Sequence, residues 1–302
     1  MAFTAQDVKT LRERTGCGMM DCKKALSQTD GDMEKAIDVL REQGLAKAAK
    51  KASRIAAEGV AFAMTNDDCT AGVAIEVNAE TDFVAKNADF QGFVKTVAET
   101  VMAEKPANVE ELLTKTAAGT EMTVAELLQE KIQTIGENLV IRRFVRYEGT
   151  VATYIHMGGK IAVMVKFDTD VAAQDAFKSY AKDIAMQIAA VSPAYLKREL
   201  VPAEVIEHEK KIMTEQVINE GKPEAIAQKI VMGKIGKYYE ENCLVDQVFV
   251  KDSKLKVKDY TAQTAKALGG KIEITDYVRF EKGEGLEKRE DDFAAEVASM
   301  VK

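Results

Sequence analysis

Apolar positions in the first fifty residues recur at steps of three and four. Val8 with Leu11, then Cys22, Ala25 and Leu26, then Met33, Ala36, Ile37 and Leu40 each fall on one helical face. Thr4-Ala5-Gln6-Asp7 resembles a capping box with an acid at its fourth position. Thr15-Gly16 stops the first helix, Asp30-Gly31-Asp32 separates the second from the third, and Gly44 is expected to end the third. Three amphipathic helices of this size make a small bundle. Lys47, Lys50, Lys51 and Arg54 then stand among alanines without an apolar stripe, which predicts an exposed, helix-prone connector.

From Gly59 the period shortens to two. Residues 60–64 and 72–78 read as strands joined by Asn66-Asp67-Asp68, and 79–87 reads as a loop. Phe90, Phe93, Val94, Val97 and Val101 return to helical spacing, followed by helices over 109–113 and 124–135. Residues 139–148 predict a strand, and 150–156 with 160–167 a hairpin across Gly158-Gly159. A self-comparison aligns Ile75-Glu76-Val77, Thr81-Asp82, Phe90, Phe93, Val97 and Val101 with Val163-Met164-Val165, Thr169-Asp170, Phe177, Tyr180, Ile184 and Ile188. The unit strand–loop–helix is therefore duplicated. Helices over 203–219 and 225–242, broken at Gly221-Lys222-Pro223, form an antiparallel hairpin. Strand regions at 248–250 and 271–281, with a helix over 260–268 before the second, make the hairpin look like an insertion. Phe293, Val297 and Met300 line one face of a last helix, which docks on the body or on a partner.

The pattern predicts an α+β protein, and its length of 302 residues calls for two or more domains. Four parts are expected: a three-helix module with linker over 1–54, sub-domains over 55–148 and 149–282, the second with the hairpin inserted at about 195–242, and a terminal helical module over 283–302. Lys plus Arg number 42 against 49 Asp plus Glu, a net charge of −7. That balance argues against general nucleic-acid binding, which needs cations to displace counterions from phosphate. No run approaches the roughly 20 apolar residues of a membrane span. The first residues lack the basic and apolar blocks of a signal peptide, and Cys17, Cys22, Cys69 and Cys243 make no C-x-x-C pair. A cytoplasmic, reducing location fits.

Enzyme signatures fail on inspection. Gly159-Lys160 has Tyr154 where a phosphate loop needs its first glycine and Ile161 where it needs Ser or Thr. Gly16-Cys17-Gly18 has Asp21 where a dinucleotide fingerprint needs its third glycine. Neither His156 nor His208 lies near Cys17 or Cys22 in sequence. No metal site or cofactor is expected, and the chain reads as a binding protein.

Two segments are too apolar for their place. Adjacent Met19 and Met20 cannot both face the core of one helix, so at least one is exposed; methionine adapts to varied partner surfaces. Phe83 stands in Thr81-Asp82-Phe83-Val84, where a polar loop is expected. It either tucks under its own helix, with Asp82 as N-cap, or projects outward. The second copy keeps Thr169-Asp170 but carries Val171 and Ala172, so the ring belongs to the first copy alone. His156, before Met157-Gly158-Gly159, is expected to be exposed.

At these residues the chain closely resembles the bacterial elongation factor Ts family, guanine-nucleotide exchange factors of elongation factor Tu. The matching stretches are Leu11-Arg12-Glu13-Arg14-Thr15-Gly16, Gly18-Met19-Met20-Asp21-Cys22-Lys23-Lys24-Ala25-Leu26, Thr81-Asp82-Phe83-Val84-Ala85-Lys86, Ile132 onward through Gly136-Glu137-Asn138, and Asp292-Phe293-Ala294-Ala295-Glu296-Val297. The resemblance implies a three-helix module similar to ubiquitin-associated domains, a two-part α+β core, a helical hairpin and a terminal helix. It implies that Thr81, Asp82, Phe83 and Val84 enter a cleft in the partner's nucleotide-binding domain and disturb its Mg²⁺ site. It further implies partner contacts by Arg12, Met19, Met20, Lys23, His156, Phe293 and Val297. The implied partner is elongation factor Tu, GDP-bound and nucleotide-free. The resemblance also implies that this chain makes or breaks no bond and binds no nucleotide, nucleic acid, metal or membrane.

Overall fold

The computed structural model describes residues 3–287. Its first three helices are α1 (Ala5–Thr15), α2 (Met19–Gln28) and α3 (Met33–Lys51). The capping box forms: the Asp7 N–H donates to Thr4 Oγ1 at 3.3 Å and the Thr4 N–H donates to Asp7 Oδ2 at 2.7 Å. Gly16 closes α1 with φ 65°, a left-handed conformation that glycine adopts without strain. Val8, Leu11, Cys22, Ala25, Leu26, Ala36 and Leu40 form the bundle core, as their spacing predicts.

Gly44 does not end the third helix, which continues to Lys51. The glycine serves a close approach instead. The core helix over Val124–Ile135 presents Gln133 so near that a Cβ on Gly44 would lie 2.4 Å from Gln133 Oε1. The same seam carries Gln129 Nε2 to the Arg41 carbonyl at 3.1 Å, Gln133 Nε2 to Cys17 Sγ at 3.1 Å and Lys51 Nζ to the Ile132 carbonyl at 3.2 Å. Tertiary packing thus overrides a residue that reads as a helix stop.

The core is two small antiparallel sheets, face to face, each covered outside by helices. β1 (Glu58–Thr65), β2 (Ala71–Ala79) and β3 (Val140–Glu148) form the first in the order β1-β2-β3, with Ile75 opposite Phe62 and Phe144. Between β2 and β3 come the helical turn α4 (Asp82–Ala85) and helices α5 (Ala88–Glu104), α6 (Val109–Thr114) and α7 (Val124–Ile135). β4 (Thr150–His156), β5 (Ile161–Thr169) and, after a long excursion, β8 (Ile272–Glu281) form the second. The excursion contains α8 (Asp175–Val191), the hairpin α9 (Ala203–Asn219) and α10 (Glu224–Asn242), the ribbon β6 (Val248–Phe249) with β7 (Asp252–Lys256), and α11 (Val257–Leu268). The predicted strand at 248–250 thus gains a partner whose polar sequence, Asp-Ser-Lys-Leu-Lys, carries no alternation.

The duplication is visible in the core. Phe90, Phe93, Val97 and Val101 of α5 are buried on β2, and Phe177, Tyr180, Ile184 and Ile188 of α8 are buried with β5. Alternate residues of β2 face the opposite way and meet the second sheet. Ala61, Ala63 and Ala74 pack on Ala162, Met164 and Phe280, and a Cβ on Gly72 would come within 2.7 Å of Met164 Sδ. Small residues let the two sheets approach this closely. Among the described residues no helix is long and apolar enough to cross a membrane. The predicted last helix lies outside the described residues.

Candidate functional site

The segment expected to be a loop between β2 and α5 contains the single helical turn α4. Val84 and Ala85 are buried in the first core, against β1 and α5. Successive helical residues point about 100° apart, so burying Val84 and Ala85 turns the preceding side chain out. Phe83 is 79% exposed, the most exposed of the large apolar side chains described.

The turn is held from below. Thr81, not Asp82, occupies the N-cap position, and its hydroxyl is directed away from the turn. Its Oγ1 donates to Glu137 Oε1 at 2.6 Å, and its N–H donates to Glu137 Oε2 at 3.0 Å. Glu80 Oε1 accepts the Asn138 N–H at 2.6 Å, and Asn138 Nδ2 donates to the Arg54 carbonyl at 2.9 Å. Sequence reasoning missed this anchor. The Gly136-Glu137-Asn138 motif carried the signal, since Gly136 ends α7 at φ 88° and turns Glu137 towards the neighbouring segment.

Asp82 makes no bond to the scaffold. Its Oδ2 accepts from Lys86 Nζ at 2.9 Å, one turn on, and both groups are at the surface. The hydrogen bond and charge of Lys86, with a smaller contribution from Lys282, hold its carboxyl below the usual range. The second copy differs. Asp170 Oδ1 accepts the Lys271 N–H at 2.7 Å, Thr169 Oγ1 donates to the Lys271 carbonyl at 2.7 Å, and Val171 is buried. Threonine is structural in both copies, aspartate only in the second.

On the three-helix bundle both methionines are outside: Met19 is 58% and Met20 73% exposed. Gly18 in extended backbone starts α2 there, and Cys22, Ala25 and Leu26 take the inward face. Lys23 lies one turn after Met19 on the same side, and Arg12 is exposed on α1. His156 is half-buried rather than exposed. It ends β4, and its Nδ1 lies 3.0 Å from the Tyr154 hydroxyl, in hydrogen-bond contact. The residue that projects from this hairpin is Met157, 71% exposed in a left-handed conformation at φ 48°. Gly159 presses on the first sheet: its carbonyl accepts the Ala61 N–H at 2.8 Å. Phe293 and Val297 lie outside the described residues.

The surface therefore offers exposed apolar side chains on rigid supports, the composition of a protein-docking site. A family model described as elongation factor Ts matches residues 80–284. The elongation factor Ts of Syntrophotalea carbinolica is 50% identical over 305 residues, covering 100% of this chain and 100% of its own. An exposed ring on an anchored turn, a duplicated α+β core and this full-length identity lead to one assignment: the chain belongs to the elongation factor Ts family.

Proposed function

We propose that this chain is a guanine-nucleotide exchange factor of elongation factor Tu, working in the cytoplasm on both the GDP-bound and the nucleotide-free partner. The observation that carries the reading is Phe83, 79% exposed on a turn whose base is bonded to Glu137. A large ring held in water on a fixed support has a favourable destination elsewhere. Its burial in a partner contributes about 1.5–3 kcal/mol. Asp82 beside it supplies a carboxylate, and Arg12, Met19, Met20, Lys23 and His156 supply further contacts. Phe293 and Val297 are further partner contacts in this reading.

Exchange follows from linkage. Factor and nucleotide bind one GTPase, and each weakens the other by a single coupling free energy. A diphosphate is held by backbone N–H groups and by Mg²⁺. Residues 81–84, entering between elements of the GTPase, displace the groups that hold that ion, and GDP leaves faster. Incoming GTP runs the same cycle backwards and releases the factor. Every step is a change of contacts, so the factor's own residues bind and displace and carry out no covalent chemistry. Release of a fluorescent GDP analogue from elongation factor Tu tests this. Sub-stoichiometric amounts of the chain are expected to accelerate release, and unchanged release with excess chain overturns the reading.

A further inference from the structure

Three consecutive residues of the β4–β5 hairpin, Met157, Gly158 and Gly159, have positive φ of 48°, 63° and 99°. The glycines take this conformation without strain, whereas a residue with a Cβ does not; glycine, asparagine or aspartate suits the first place better. Methionine stands there all the same, and it is 71% exposed. Neither the turn nor packing within the chain calls for a long apolar side chain at that point. Strain of this kind gathers at sites that contact something else.

The next residue, Gly158, borders an apolar groove of about 240 Å³. Val60 and Phe62 of β1, Val94 of α5 and Ile155 of β4 line it, and Gln91 is the one polar side chain among its walls. Gln91 also donates from Nε2 to the Ala85 carbonyl at 3.2 Å, so the groove borders the turn that carries Phe83. Its volume lies below the roughly 300–1,000 Å³ of small-molecule sites and suits a single side chain. Nor can a strand add along the whole free edge of β1, because the Ala61 N–H is already bonded to the Gly159 carbonyl at 2.8 Å. We propose that Met157 and this groove are a second contact for the GTPase that receives Phe83: the thioether lies on the partner, and the groove takes one apolar side chain from it. The proposal rests on the exchange-factor reading above. An unbranched thioether adapts to the surface it meets. A projecting ring and a receiving groove, joined through Gln91 on one packed core, fix the partner's orientation, which a single wedge leaves free to rotate.

GDP release from elongation factor Tu, measured against the concentration of the full-length chain, tests this. Met157→Asn removes the thioether and supplies a residue that tolerates left-handed backbone. It is expected to raise the half-saturating concentration about fivefold, with a melting temperature equal to or above that of wild type. Met157→Leu, still apolar, is expected to stay within about twofold. Ile155→Thr keeps a β-branched residue in the strand but makes the groove wall polar, and is expected to raise the half-saturating concentration about threefold. Methyl NMR of the chain labelled at methionine reads the contact directly. The Met157 signal, assigned by its loss in Met157→Asn, is expected to shift when nucleotide-free elongation factor Tu is added, and a signal unmoved at saturation overturns the proposal. A lower melting temperature of Met157→Asn with unchanged exchange gives the methionine a place in the fold instead, and also overturns it. Both results leave wild-type exchange standing, whereas absence of wild-type exchange overturns the function itself.

Discussion

Thr81 and Glu137, 56 residues apart, share two hydrogen bonds, and the shorter runs 2.6 Å from Thr81 Oγ1 to Glu137 Oε1. This pair decides where the turn bearing Phe83 stands. Thr81→Val keeps the shape and removes the hydroxyl bond to a charged acceptor. The expected loss is about 1.5 kcal/mol of stability and a several-fold slower exchange, with Thr81→Ser close to wild type. Thermal melts alongside GDP release check both halves. A Thr81→Val protein with full exchange would show that the anchor is dispensable.

Phe83→Ala removes a ring that makes few contacts of its own. Stability is expected to stay within about 0.5 kcal/mol of wild type, as for other surface positions. GDP release at sub-saturating factor is expected to fall by about ten- to a hundredfold, the equivalent of about 1.5–3 kcal/mol. Urea unfolding and stopped-flow release measure the two. Equal losses in both would place the ring in the fold rather than at the interface.

Gly59→Ala is expected to damage the fold directly. Gly59 has φ 113°, and a Cβ there would lie 2.2 Å from the Val77 carbonyl oxygen and 2.7 Å from Asn78 Cα. These are backbone atoms of the paired strand β2, which cannot yield as a flexible side chain would. The expected loss is about 3 kcal/mol or more, read as a drop in urea midpoint.

The thiols divide by burial. Cys17, Cys22 and Cys243 are buried and Cys69 is exposed at the β1–β2 turn. An aromatic disulfide reagent at mild alkaline pH is expected to label one thiol per native chain, lost in Cys69→Ser, and four after denaturation.

Alkaline pH is expected to weaken the fold. Burial, reinforced by Asp246, pushes the Cys243 thiol from 9.0 up to about 11, and burial pushes Tyr260 and Tyr277 from 10.0 up to about 12. These acids release protons more readily when unfolded. Their contribution is therefore whole below about pH 9 and declines as pH rises through about 11 to about 12. Urea unfolding repeated across this range should show a falling midpoint, and a flat profile would contradict the burial argument.

Much of the fold follows from local pattern. The helical period places α1, α2, α5, α7 and α9, and alternation with Asn66-Asp67-Asp68 places the first hairpin, because each element is marked by residues inside itself. The repeat was legible too, since both copies bury the same face of the same helix. Gly44 was misread because its reason lies on α7, and His156 because its partner, Tyr154, shares its edge of the strand. Buried Glu76 of β2 accepts from Arg142 and Arg143 of β3 and from the Gly283 N–H just after β8, and nothing in the spacing of those charges announces it.

The sequence by itself determined which segments coil, which pair, and that Phe83 and the two adjacent methionines are too apolar for ordinary surface loops. The tertiary structure decided which way they point. Phe83 and Val171 occupy matching places in two copies of one unit, yet one is exposed and the other buried. The first copy is bonded to Glu137 and folds a helical turn that buries Val84, whereas the second is bonded to Lys271 and buries Val171 directly. Orientation in so short a segment depends on hydrogen bonds to residues far away in the chain, and periodicity records only what neighbours along it require.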